Sequence, residues 1–143
     1  MTPRLIPFKA EHLLDFVDRD LVMLCDIELG VARERGGPAF TGMIDDTVLG
    51  CAGVTLLWPG VGIAWMVLSK EIDHFGIWMT KMVRAALSDV MRSCNLRRVE
   101  AVVLADDARN LRWIRTLGFA RENGLARAYT QDKRDVVRFE LIK

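Results

Sequence analysis

The stretch DDARNLRWIRTLGFARENGLARAY, Asp106–Tyr129, decides how this chain folds. Asp106 or Asp107 can cap a helix by accepting from its free N–H groups. The helix runs through NLRWIRTL, and Gly118 ends it, since glycine takes the left-handed conformation at a helix C-terminus without strain. Upstream, RVEAVVLA (98–105) reads as a strand. Downstream, LARAYTQ (125–131), a DKRD turn and VVRFELI (136–142) read as a closing β-hairpin.

Working back toward the N-terminus, the clearest helix has Phe75, Trp78, Met79, Met82, Val83, Ala86, Leu87, Val90 and Met91 on one stripe. Lys81, Arg84, Asp89 and Arg92 occupy its other side. Before it, the chain from Val48 to Leu68 carries no charge and is long enough to span a bilayer. Pro59 and several glycines, with WPGVG at its middle, instead predict two buried strands joined by a tight connection. GIAWMVL does not alternate, which suggests burial on both faces. AFTGMI, a DDT turn and VLGCAGVTLL form the preceding hairpin. RLIPF is a first strand. KAEHLLDFVDRD places Leu13, Leu14, Phe16 and Val17 on a helical period, and a second helix with Leu21, Leu24, Cys25, Ile27 and Val31 stops at Gly36-Gly37-Pro38. The order predicts an α/β chain of the α+β type: a mixed, mostly antiparallel sheet of about seven strands with helices on both faces, in one domain over residues 1–143.

Composition narrows the functional classes. The formal net charge is +1 over 143 residues, so nothing argues for bulk attraction to nucleic acid or membrane. Cys25, Cys51 and Cys94 are scattered and odd in number, which suits neither a disulfide framework nor a metal site. With no continuous apolar leader in MTPRLIPFKAEH, they predict a reducing, cytoplasmic setting. No P-loop, dinucleotide fingerprint or zinc-ligand spacing is present.

The element order, together with Leu117-Gly118-Phe119 after strand and helix, Gly124, and a final hairpin ending Arg134–Lys143, resembles the GCN5-related N-acetyltransferase (GNAT) superfamily. The set also resembles short, divergent GNAT-like proteins of bacteriophages. The resemblance implies an acyl-CoA-dependent N-acyltransferase taking acetyl-CoA as co-substrate and a small-molecule or protein amine as acceptor. It implies a sheet that splays between strands at Ile63–Leu68 and Val99–Ala105. The pantetheine arm would pair with backbone at Met66, Val67 and Leu68. The pyrophosphate would lie on the following helix start, at His74, Phe75, Gly76, Ile77 and Trp78. Asn110 can bond the pantetheine amide or cap locally, and Trp113 can pack or shelve the adenine. The C-terminal hairpin could also pair across a homodimer.

Two features depart from the family pattern. The turn usually reads Gln/Arg-x-x-Gly-x-Gly/Ala; here Gly76 keeps the central glycine, while Asp73 and Trp78 stand at the outer positions. A carboxylate at Asp73 can cap the helix itself and compete with phosphate for the same donors. Lys70 or His74 can offset part of that repulsion. Relatives often use a glutamate on the fourth strand and a tyrosine four residues before the LGF glycine. This chain has IAWMVL in the strand and Ile114 at the tyrosine position. Tyr129 and Glu71 are then the candidate catalytic groups, with Asp73 a further possible base. The alternative reading is a GNAT-fold protein without catalysis, serving as a binding or structural component, for example of a phage. His12, His74, Cys51 and Cys94 read as ordinary surface or core residues. Arg109, Arg112 and Arg115 read as a solvated helix face.

Overall fold

The computed structural model describes residues 2–16 and 27–143; for 15, 16, 27–29, 70, 71 and 73 it describes the backbone. The expected helical positions Val17, Leu21, Leu24 and Cys25 lie outside the described residues. Seven strands form one sheet: β1 (Arg4–Pro7), β2 (Ala39–Ile44), β3 (Thr47–Trp58), β4 (Val61–Leu68), β5 (Arg98–Leu104), β6 (Ala120–Arg121) and β7 (Val136–Ile142), in the spatial order β1-β2-β3-β4-β5-β7-β6. The helices are α1 (Ile27–Gly36), α2 (Gly76–Ser93) and α3 (Ala108–Thr116), with 3-10 turns at Ala10–Phe16 and Lys70–Phe75. The mixed, mostly antiparallel sheet expected from the sequence is present. The charge-free run is the β3–β4 hairpin, and no helix among the described residues is long and apolar enough to cross a membrane.

The chain falls into two compact units: Met1–Leu56 with Ala64–Met82, and Leu57–Ile63 with Val83–Lys143. In the first, β1 pairs antiparallel with β2, and β2 with β3. The β2–β3 register shifts where Gly42 faces Gly50 and Met43 faces Val48, so Leu49 is the extra residue of a β-bulge. That bulge lets Val48 and Cys51 share a face. They pack with Phe8, Leu13 and Val67, and with the half-buried Ala39, Met43 and Trp65. The short helix expected from Lys9 onward is a 3-10 helix over Ala10–Phe16, and Leu14 on it is exposed while Leu13 is buried. His12 fixes it to the sheet. Its Nδ1 accepts from the Lys9 N–H at 3.1 Å and meets the Thr41 hydroxyl at 2.7 Å. The opposite face of β2 is covered by α2, where the Trp78 ring lies against Gly42, 3.3 Å from where a Cβ would stand. Within this unit, helical segments therefore cover both faces of the sheet.

In the second unit β5 lies between the first residues of β4 and β7, with β6 beyond. Val99, Ala101, Val137, Phe139, Ile114 and Phe119 are buried. Asp107 is the N-cap of α3: its side chain accepts from the Asn110 N–H at 3.2 Å. Losing such a cap costs about 1 kcal/mol. Asp107→Ala is thus expected to lower the urea midpoint by that free energy with an unchanged slope. Gly118 has φ +99, as its role in ending α3 requires.

The expected hairpin strand at LARAYTQ is replaced by the short β6 at Ala120–Arg121 and an isolated bridge between Ala126 and Val136. The reason lies in the loop. Ala128 takes φ +50, and its N–H donates to Asp135 Oδ1 at 2.9 Å. The Tyr129 and Thr130 N–H groups both turn back to the Arg134 carbonyl, and the Thr130 hydroxyl bonds the Asp132 carboxylate. These local bonds outcompete a ladder.

Candidate functional site

The site begins with how far β4 is paired. Its parallel ladder with β5 runs Val61↔Arg98, Gly62↔Val99, Ile63↔Glu100 and stops there. Ala64–Leu68 continue as strand beside β3, with no strand on their other side among the described residues. Val67 is buried, while Met66 and Leu68 are half-buried. An extended ligand can complete such an edge with main-chain hydrogen bonds.

The chain leaves that edge through Ser69, whose N–H donates to the Leu49 carbonyl at 2.9 Å. The 3-10 turn Lys70–Phe75 leads directly into α2 at Gly76. Asp73 sits inside that 3-10 turn, three residues before Gly76. The Glu71 carboxylate, a candidate base, lies outside the described side chains. His74 is exposed and Phe75 half-buried. Ile77 is 78% exposed, an apolar side chain standing in water on the first turn of a helix. Around Gly76 a Cβ would meet nothing within 4 Å. The glycine is therefore not demanded by the protein's own packing, and its N-terminal location leaves room for a phosphate to approach the backbone. Trp78, at the outer position of the turn, directs its ring onto Gly42 of β2. The Thr80 hydroxyl bonds the Gly76 carbonyl at 2.9 Å, stitching the first turn.

No protein-family model and no curated protein matches this sequence. Solved structures do match it, along almost its entire length. Ard1 from Thermoplasma volcanium superposes with a TM-score of 0.81 at 14% identity, covering 99% of this chain and 98% of that one. A chimera of the spermidine N-acetyltransferase SpeG from Vibrio cholerae and hSSAT gives 0.75 at 12%, covering 99% and 96%. An IAA acetyltransferase from Bacillus cereus gives 0.74 at 12%, covering 99% and 100%. The fold is that of the GCN5-related N-acetyltransferases. These matches lend nothing to a phage affiliation.

On this GNAT fold the sequence-predicted residues divide between the two units. Met66, Val67, Leu68 and His74–Trp78 stand together in the first, on one strand edge and the helix that follows it. Asn110, Trp113 and Tyr129 belong to the second. Asn110 is committed locally: its Nδ2 donates to Asp107 Oδ2 at 2.7 Å. Trp113 is half-buried on α3, and its carbonyl accepts from the Thr116 hydroxyl. Tyr129 is 52% exposed in the loop before β7, not on a strand. Ile114 is buried.

Two polar features escaped the sequence. Trp65 on β4 has its Nε1 buried with no hydrogen-bond partner, while the Arg33 guanidinium lies 4.6 Å from its ring centroid. Arg98 on β5 binds three carboxylates: Glu100 through Nε at 3.0 Å, Glu140 through Nη1 and Glu122 through Nη2. Bonds first to Glu140, then to Glu100, hold the guanidinium pKa far above its usual value against the opposing cost of desolvation. Among the described residues no group of three or more His, Cys, Asp or Glu side chains could hold a metal ion.

Proposed function

We propose that this chain is an acyl-CoA-dependent N-acyltransferase that passes an acetyl group directly from acetyl-CoA to an amine. The observation that carries the reading is the open edge of β4 at Ala64–Leu68, running straight into a helix that starts at an unobstructed glycine. Bound acetyl-CoA supplies an activated thioester and a thiol leaving group of modest basicity. The chain's part is mostly to hold the reactants. Met66, Val67 and Leu68 offer main-chain N–H and C=O groups to the pantetheine arm. The Gly76, Ile77 and Trp78 N–H groups and the helix dipole favour the diphosphate. His74, exposed beside them, can add an imidazole N–H.

The acceptor amine must lose a proton, which the Glu71 carboxylate is proposed to take, directly or through water, while the Tyr129 Oη–H is proposed to give one to the departing CoA thiolate. Much of the rate can come from placing amine and thioester together. That makes the absence of the common strand glutamate and helix tyrosine tolerable. An amine acceptor agrees with spermidine being named as the substrate of SpeG. Cys51 and Cys94, neither of them in a disulfide, agree with a reducing, cytoplasmic setting.

A thermal-shift titration tests the reading. Acetyl-CoA at 100 times its Kd should stabilise the protein by about 2.7 kcal/mol, a rise in Tm of roughly 8 °C. Thiol release in the presence of an amine panel then reports transfer. Asp73→Gln should tighten acetyl-CoA by about one to three decades, since it removes a like charge near the diphosphate. A shift without thiol release on any amine would leave a binding protein with this fold. No shift at millimolar acetyl-CoA, in wild type and in Asp73→Gln alike, would overturn the proposal.

A further inference from the structure

From Thr47 to Ser69 the chain holds no charged residue, and the β3–β4 turn puts the middle of that run on the surface. Leu56, Leu57 and Trp58 are 42%, 41% and 58% exposed, and Pro59 is exposed too. Four successive exposed apolar residues are a fault in a soluble domain unless they meet something. The tip is also held firmly. Gly60 takes φ +89, and the Arg97 side chain fills the space a Cβ would need. The Arg97 guanidinium donates to the Pro59 carbonyl at 3.2 Å. The N–H groups of Arg97 and Arg98 donate to the Gly60 carbonyl at 2.9 and 3.1 Å, and the Lys143 N–H donates to the Arg97 carbonyl at 2.9 Å. Exposed Arg97 is thereby fixed against Pro59 and Gly60, next in sequence to Trp58, and the backbone of exposed Lys143 is joined to that of Arg97. Ile142, 60% exposed, pairs with Arg98 in the adjoining ladder. The nearest carboxylates along that ladder, Glu100 and Glu140, are both bound to Arg98.

We propose that this tip docks on an anionic lipid surface. Leu57 and Trp58 enter the headgroup layer, and Arg97 and Lys143 meet its negative charge. Charge complementarity is local here and is hidden by the near-zero net charge of the whole chain. Area argues against a second copy of the chain as the occupant. Three half-exposed side chains offer on the order of 300 Å², well short of the roughly 800 Å² per partner of a stable dimer. A lipid surface needs no such area, because apolar residues penetrate it by about 5–10 Å, and tryptophan favours that boundary. The proposal does not depend on acyl transfer.

Cosedimentation of the full chain with vesicles tests it. Binding is expected to phosphatidylcholine vesicles containing about a third phosphatidylserine, to weaken as salt rises, and to be much poorer on phosphatidylcholine alone. Trp58 emission should shift to the blue on binding, and Trp58→Ser should abolish that shift and most of the sedimentation. Lys143→Glu should weaken binding by at least about fivefold, the equivalent of one cation near the surface. Trp58 is exposed and its replacement should leave the melting curve unchanged. Should that variant fail to fold, the salt and lipid dependence of the wild type decides alone. Equal binding to neutral vesicles, or none to anionic ones, overturns the proposal. So does a wild-type dimer that Trp58→Ser converts to monomer, which would assign the tip to a protein contact.

Discussion

Gly76→Val is expected to leave the ligand-free protein as stable as before, or slightly more so, and to erase the rise in Tm produced by acetyl-CoA. The two halves of this result have separate causes. A Cβ at position 76 meets no atom of the folded chain within 4 Å, so nothing must move to admit it. Replacing glycine inside a helix also narrows the unfolded ensemble, worth about 0.4–1 kcal/mol for alanine and less for a β-branched residue. A ligand pressed against the backbone there would find the isopropyl group in its way. The stabilisation of about 2.7 kcal/mol at 100-fold saturation would then vanish. Differential scanning fluorimetry with and without acetyl-CoA reads both halves at once. A lowered Tm in the absence of ligand would mean that the glycine serves the fold. An intact ligand shift would move the diphosphate away from α2.

Arg98→Met is expected to destabilise the protein more than Asp107→Ala does. Removing the guanidinium leaves Glu100, Glu122 and Glu140 facing one another around an apolar chain. Arg98, Glu100, Glu122 and Glu140 are only 24%, 23%, 24% and 33% exposed at their side chains, so water screens them incompletely. Breaking a fully buried pair costs about 3–5 kcal/mol; with partial exposure the expected loss is about 2–3 kcal/mol, or roughly 6–12 °C in Tm. Arg138, 3.8 Å from Glu122, compensates little. Adding Glu140→Gln to Arg98→Met should recover part of the deficit, whereas Glu140→Gln alone should destabilise. That opposite sign is the coupling a double-mutant cycle isolates. Because the arginine pKa is raised on folding, its contribution is present at every pH below the unfolded-state value and fades only as pH climbs through the folded one. Across the ordinary working range the guanidinium stays charged.

What the sequence revealed, and what it hid, follows the range of the forces involved. β3, β4 and α2 were legible because apolar runs and a 3.6-residue stripe are written locally. α3 was legible because a cap and a stopping glycine bracket it, and both do so in the structure at Asp107 and Gly118. The last hairpin was misread because its outcome depends on groups several residues away: the Asp135 carboxylate accepts from the Ala128 N–H, and the Arg134 carbonyl accepts from those of Tyr129 and Thr130. The Arg98 cluster could not be read at all. Its partners are 2, 24 and 42 residues distant in sequence, and only the register of β5 on β7 brings the farthest one across. At the candidate site, Gly76 stood out as a lone glycine ahead of a clear helix. Asp73 resisted reading because a capped loop and a 3-10 entry use the same residue types.

The extra residue at Leu49 lets β3 carry one more side chain than the strand it faces. A plain strand would put Val48 and Cys51 on opposite sides, since side chains alternate at each step. The bulge absorbs the surplus residue, so Val48 stands opposite Met43 and Thr47 opposite Ile44. Deleting Leu49 would leave those pairings in a regular ladder, and the cost would fall on packing, because the Leu49 side chain is fully buried. Descendants of this gene can thus lose the leucine without turning the strand end inside out, at the expense of a vacated interior position.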